Sequence, residues 1–163
     1  MPFTPFHWGP SLLIGLLVFP LLDIPCLLIA SVIVDIEPLV LLMLGGFPLH
    51  GFFHTYLGAT LAGIALIPIV YLLQNFLLSL LRLFGLKQST SLPKIIVTSL
   101  FGTNFHVFLD SFLYSEMQPF FPLVVNPFYG LLTSSQIYLF CIISFIVAIP
   151  VYVFHVWRTS KQT

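Results

Sequence analysis

The sequence predicts an all-α integral membrane helical bundle with about five transmembrane or half-spanning helices. Three observations predict this fold class. The 163 residues are 59% hydrophobic and only 6% charged, their mean hydropathy is +1.11, and polar or proline-containing breaks separate five apolar segments. Helices are expected because the core of a bilayer cannot satisfy exposed backbone groups. The length fits a single membrane domain, residues 1–163.

Each apolar segment supports one predicted helix. The first is shorter than the roughly 20 residues that a full span needs, so we expect it to be half-buried or extended by its flanks. The second begins at a cap-and-proline pattern, Asp-Ile-Pro, and the third is expected to kink at Pro68. In order, the predicted segments are Ser11–Leu22, Asp23 to about Leu44, about His50 to Phe84, Ile95 to about Tyr114, and Gln136–Trp157.

Residues 115–134 are rich in proline and aromatic side chains, which predicts an interfacial segment instead of a spanning helix. The positive-inside rule gives an orientation, because all the cations lie in or beside the connection between the third and fourth segments or after the fifth. They are Arg82, Lys87, Lys94, Arg158 and Lys161. The connection between the third and fourth segments and the end of the fifth segment are therefore predicted to be cytoplasmic, with the N-terminus outside.

Composition and cysteine spacing exclude some functions. The formal net charge is zero, which provides no basic face for nucleic acid, so a nucleic-acid partner is not expected. Cys26 and Cys141 stand alone in apolar runs, which argues against a disulfide framework or a thiolate metal site. Asp23 is interpreted as a helix cap, and His155 as an interfacial histidine.

Histidines and carboxylates from several segments are predicted to share one level in the outer half of the membrane. At about 1.5 Å per helical residue, Asp35 should lie about 18 Å above the turn at Asp23. The pairs His50 with His54 and His106 with Asp110 have the i, i+4 spacing that stacks side chains on one helical face. Pro38 is expected to hold Glu37 extended, on the same side as Asp35. The candidate site residues are His7, Asp35, Glu37, His50, His54, His106 and Asp110.

Neutral imidazoles and ionised carboxylates are ligands that zinc, manganese and iron accept. The expected cofactor is therefore a divalent metal, one or two ions, with zinc before manganese or iron. The alternative is a set of unrelated buried polar networks that happen to share one level. Polar groups in lipid are costly enough to favour a common site.

The order of these motifs resembles the YdjM-like family of bacterial and archaeal membrane-bound metal-dependent hydrolases. The motifs are PFHWGP with His7, VDIEP with Asp35 and Glu37, HGFFHTYLG with His50 and His54, and GTNFHVFLDSF followed by PFFP. Two features differ from the family's motifs. Glu37 occupies a position where the family commonly has aspartate, and HGFFHTYLG lacks the family's arginine and is one residue shorter than the corresponding motif. The resemblance implies a hydrolase in the plasma membrane of a bacterium or archaeon, and the orientation predicted from the cations places its site toward the outer side.

The predicted function is metal-dependent hydrolysis of an amphiphilic substrate, a lipid and preferably a phosphoester, by a metal-activated water. Glu37 and Asp35 are the candidate catalytic carboxylates, with Glu37 as a ligand or as general base. Phe52, Phe53, Phe105 and Phe108 are predicted to contact the substrate together with the segment MQPFFPLVVNPFYG. The alternatives are a lipid amide or ester hydrolase, a metal transporter, and a structural membrane protein whose metal staples its helices.

Overall fold

The computed structural model describes residues 5–161, and the regular structure in that range is entirely helical. The α-helices are α1, Trp8–Leu17; α2, Ile24–Ala30; α3, Ile36–Leu44; α4, Tyr56–Leu83; α5, Leu92–Asp110; and α6, Ser134–Ser160. Three short 3-10 helices, Pro5–His7, Ile33–Asp35 and Phe52–His54, precede α1, α3 and α4. The predicted all-α fold is confirmed.

Four helical segments of the described chain are long and apolar enough to cross a membrane. They are α4, α5, α6 and the segment Ile24–Leu44, which contains α2 and α3. Helix α1 has 10 residues and is about 15 Å long, roughly half a bilayer core. The protein is therefore a membrane-protein helical bundle with one half-length helix, as the sequence predicts.

Helix α1 packs along α6. Near its start, a Cβ on Gly9 would collide with the carbonyl oxygen of Cys141, so glycine permits close approach of the two helices. Near its end, the carbonyl of Leu16 accepts a hydrogen bond from His155 Nε2 at 2.9 Å. His155 thus fixes the far end of α1, and His7 lies at the opposite end of that helix.

The predicted second helix has the right ends but is interrupted in the middle. Asp23 caps α2 by accepting a hydrogen bond from the backbone N–H of Cys26 at 2.9 Å, as predicted. Helix α2 then stops at Ala30. The carbonyl of Ser31 accepts from His106 Nδ1 at 2.7 Å, so it is used outside the helical ladder. The chain restarts as a 3-10 helix that ends at Asp35.

The expectation that Glu37 is extended is wrong, because Glu37 lies in the first turn of α3. Pro38 is also in that turn, where a backbone N–H has no helical partner, so the proline does not break the helix. Asp35 and Glu37 nevertheless approach the same imidazole, that of His54, from its two sides. Helix α3 ends at Gly45, whose φ of 68° is left-handed.

The expectation that His50 and His54 stack on one helical face is also wrong, because α4 begins only at Tyr56. The carboxylate of Glu37 accepts hydrogen bonds from the backbone N–H groups of Gly51 and Phe53, each at 3.1 Å. These bonds hold the loop in a non-helical path. A Cβ on Gly51 would lie 2.7 Å from Glu37 Oε1, so this close approach requires glycine.

Helix α5 lies at the centre of the bundle, between α2 and α4. Ser99 donates its hydroxyl to the carbonyl of Gly63 in α4 at 2.7 Å, and Gly102 faces Ala30 in α2. Small residues at helix contacts allow such close packing in membranes. The C-terminal turn of α5, which carries His106 and Asp110, is therefore held firmly against the segments that carry Asp35 and His54.

Residues 115–133, all within the described chain, contain turns and bends and no helix. The carbonyl of Pro119 accepts from the N–H of Tyr56 at 2.8 Å, and Asn126 Nδ2 donates to the carbonyl of Ser111 at 2.9 Å. These bonds anchor the segment to the start of α4 and the end of α5. Its interfacial position remains a prediction.

Candidate metal centre

Four of the predicted ligands converge in the interior. Each offers one ligand atom, and these atoms all lie within 4.8 Å of one another. Each residue is at most 2% exposed. We call this group the carboxylate–imidazole cluster: Asp35, His54, His106 and Asp110.

Three separate segments position the carboxylate–imidazole cluster. Asp35 ends the 3-10 helix before α3, and His54 ends the 3-10 helix before α4. His106 and Asp110 are one turn apart at the end of α5, with His106 Nε2 3.3 Å from Asp110 Oδ2. Of the two predicted i, i+4 pairs, this is the one on a helix.

Four of the distances between ligand atoms of the cluster are close to the edge of a coordination tetrahedron. His106 Nε2 is 3.4 Å from Asp35 Oδ1. His54 Nε2 is 3.7 Å from the same oxygen and 3.9 Å from Asp110 Oδ2. Metal–ligand bonds of about 2.0 Å in a tetrahedral zinc site place neighbouring donor atoms about 3.3 Å apart. The cluster is wider than this, because its ligand atoms span up to 4.8 Å.

Several buried polar atoms of the cluster have no hydrogen-bond partner in the described chain. They include the inward nitrogens His54 Nε2 and His106 Nε2 and the oxygen Asp35 Oδ2. Unpartnered buried polar groups are costly, and each needs an explanation. A divalent metal ion would satisfy the two imidazole nitrogens, so the cluster can hold such an ion.

The outward nitrogens of both imidazoles have fixed acceptors. His106 Nδ1 donates to the carbonyl of Ser31 at 2.7 Å, and His54 Nδ1 donates to Glu37 Oε2 at 3.0 Å. Because a carbonyl or a carboxylate can only accept, Nδ1 carries a proton, and in the neutral imidazole Nε2 keeps a lone pair directed at the cluster. This arrangement of outer partners is the one that metal-ligating histidines use.

His7 lies beside the cluster. Its Nε2 is 3.0 Å from Asp110 Oδ1, and its ring centroid is 4.2 Å from that of His106. Burial lowers the pKa of His7 to about 4 despite the nearby carboxylates, so the ring is neutral at pH 7. The carboxylate–imidazole cluster accounts for one ion, and the second ion that the sequence suggests remains a prediction.

His50 is separated from the cluster by His54, whose ring centroid lies 4.8 Å away. His50 Nδ1 donates to Glu116 Oε1 at 2.8 Å, and Tyr114 stacks on the other side of His50 at 3.7 Å. Burial lowers the pKa of His50. Burial acts to raise the pKa of Glu116, but the hydrogen bond from His50, a backbone hydrogen bond and nearby positive charge together hold that pKa below its usual value. His50 is thus a neutral donor to a charged carboxylate.

Glu116 is a residue that sequence reasoning missed. It lies in the proline and aromatic segment, away from any motif, so spacing did not mark it. The chain has only five acidic residues, and Glu116 was the one without an assigned role. In so apolar a chain, that scarcity was the signal that could have found it.

The four predicted substrate-contacting aromatics do not form one surface. Phe53 lines a groove between α3 and α4, whereas Phe52 lines a separate cavity of about 250 Å³ beside His50 and Glu116. Phe105 and Phe108 belong to a row of aromatic rings that continues to Phe112 and Phe128. A role for Phe105 and Phe108 in substrate binding remains a prediction.

Comparisons with protein-family models, with curated proteins and with solved structures give no match. Membership of the YdjM-like family is therefore a prediction from the sequence motifs. The membrane-like helices and the carboxylate–imidazole cluster are the features on which a function has to be argued.

Proposed function

We propose that the protein is an integral-membrane metal-dependent hydrolase acting on an amphiphilic lipid, with a phosphoester as the favoured bond. One observation carries the proposal, namely the donor set of two imidazoles and two carboxylates without a thiolate. Structural zinc sites are typically rich in cysteine, whereas catalytic sites use histidine and carboxylate ligands. Cys26 and Cys141 are buried free thiols outside the cluster.

Each member of the site has a distinct role under this proposal. The carboxylate–imidazole cluster holds the ion. A bound divalent metal lowers the pKa of a water toward neutrality and polarises a phosphoryl or carbonyl oxygen. Asp35 Oδ1 is the oxygen that faces the two imidazoles, whereas Asp35 Oδ2 has no hydrogen-bond partner, so Oδ2 is the oxygen available to accept a proton. Glu37 contacts the outward nitrogen of His54, which makes it a positioning residue instead of the general base.

A metal-stapled structural protein is the second candidate, and a specific observation favours it. All four cluster residues are nearly or fully buried, and closed coordination by four protein ligands is typical of structural sites. The two candidates differ in what a substrate can reach. A catalytic site must open enough to admit the scissile bond.

The experiment compares metal-loaded and chelated protein on three substrate types: a phospholipid, a lipid amide and a short water-soluble phosphodiester. Asp35→Asn is the test variant and Glu116→Gln is the matched carboxylate-to-amide control. The proposal expects a metal-dependent product that falls by about 10² or more in Asp35→Asn and persists in the control. If no substrate is hydrolysed while chelation lowers the Tm, the metal staples the helices and the hydrolase is excluded.

A further inference from the structure

An apolar groove of about 510 Å³ lies between α3 and α4. We call it the α3–α4 groove. Its size is within the range of small-molecule binding sites. Eleven of its twelve lining residues are apolar, among them Val40 and Leu41 of α3 and Ala62, Ala65 and Leu66 of α4. The twelfth is Glu37.

The groove exists because α3 diverges from the bundle. Pro38 is the only buried residue of α3, and Met43 and Leu44 are 75% and 78% exposed. Both walls of the groove belong to segments long and apolar enough to cross a membrane. The groove therefore faces hydrocarbon, and the molecule that can enter it sideways is a lipid.

The groove reaches the metal centre through Glu37. The Glu37 side chain is only 13% exposed, and its Oε2 lies 3.0 Å from His54 Nδ1. Val34, another lining residue, immediately precedes Asp35. One end of an otherwise apolar groove is thus directly next to two residues of the carboxylate–imidazole cluster.

We infer that the α3–α4 groove binds an acyl chain of the substrate lipid and places its polar end at the cluster. The identification of this lipid as the substrate rests on the proposed hydrolase activity. A chain gains little from the hydrophobic effect on moving from bilayer to groove, since both are apolar. The groove therefore contributes position, holding the head of the lipid beside the site.

A photoreactive phospholipid with a diazirine on its acyl chain tests the inference in detergent micelles at equimolar lipid. Crosslinks mapped by mass spectrometry are expected mainly in residues 33–41 and 61–69. Ile146 and Ile149 of α6 serve as lipid-exposed references, since they are 60% and 61% exposed. Equal labelling of α6 and the groove would overturn the inference.

Ala65→Phe supplies the matched steric test, because Ala65 is exposed and lines the groove. Leu72→Phe, at a position on the same helix that is 81% exposed and outside the groove, is the control. The phenyl ring of Ala65→Phe would occupy space in the groove, so this variant should lower groove labelling about fivefold or more. Leu72→Phe should leave the labelling unchanged. Unchanged labelling in Ala65→Phe would refute the groove as the binding site.

The two proposals fail in different ways. Groove labelling that Ala65→Phe abolishes, without hydrolysis of any substrate, retains the lipid-binding groove and rejects the hydrolase. With hydrolysis present, Ala65→Phe should slow turnover of the long-chain lipid and leave the short water-soluble phosphodiester unaffected. An equal loss on both substrates would show that the variant damages the site instead of the groove.

Discussion

Replacing Glu37 with glutamine should weaken metal binding without removing a ligand. The two oxygens of Glu37 accept hydrogen bonds from three N–H groups, at 3.0 Å from His54 Nδ1 and at 3.1 Å from the backbone of Gly51 and Phe53. Glutamine has one accepting oxygen and an NH₂ group that can only donate. At least one of the three N–H groups must lose its acceptor.

The size of the effect follows from the position of Glu37 behind His54. Losing an outer partner of a metal-ligating histidine typically lowers metal affinity by about 10- to 100-fold, which corresponds to about 1.4–2.7 kcal/mol. His54 is free to turn or to move its proton to Nε2 once the negative acceptor is gone. Either change removes a lone pair from the carboxylate–imidazole cluster.

The assay is a competition titration of zinc against a chromophoric chelator, with the protein in detergent. Glu116→Gln is the matched control, because Glu116 also accepts from an imidazole, His50 Nδ1 at 2.8 Å, but His50 is outside the cluster. Only Glu37→Gln should raise the Kd. An unchanged Kd in Glu37→Gln, or an equal rise in both variants, would refute the assignment of Glu37 as the partner of a ligand.

Three further predictions concern packing, donor set and topology. Gly102→Ala would place a Cβ 2.6 Å from that of Ala30, so α2 and α5 must separate. We expect about 1–3 kcal/mol of destabilisation, measured as a lower Tm. A wild-type Tm would contradict this packing. The double variant Cys26→Ser with Cys141→Ser should bind metal as the wild type does, and a loss in the same titration would place a thiolate in the site. A reporter fused after Thr163 should be cytoplasmic and a tag before Pro2 external; finding both on one side by protease protection would reject the predicted orientation.

The helical parts of the site were predictable from spacing. His106 and Asp110 are on a regular helix, so their i, i+4 relation became a 3.3 Å contact. The cap at Asp23 was equally readable, because capping depends on a few adjacent residues. Local patterns of this kind determine local structure without help from distant residues.

The non-helical parts of the site depend on contacts that no local pattern contains. His54 was predicted from helical spacing with His50, but it lies in a loop. The shape of that loop depends on Glu37, 17 residues earlier. The break after α2 likewise involves the hydrogen bond between Ser31 and His106, 75 residues apart. Glu116 was missed because its partner, His50, is 66 residues away. These features are consequences of the assembled bundle.

Metal content by elemental analysis tests the central claim most directly. Wild-type protein, purified after detergent exchange, should contain about one divalent ion per chain. Asp110→Asn should be largely metal-free, because Asp110 contributes Oδ2 to the cluster 3.3 Å from His106. A folded, metal-free wild type whose Tm does not respond to added zinc would contradict the account.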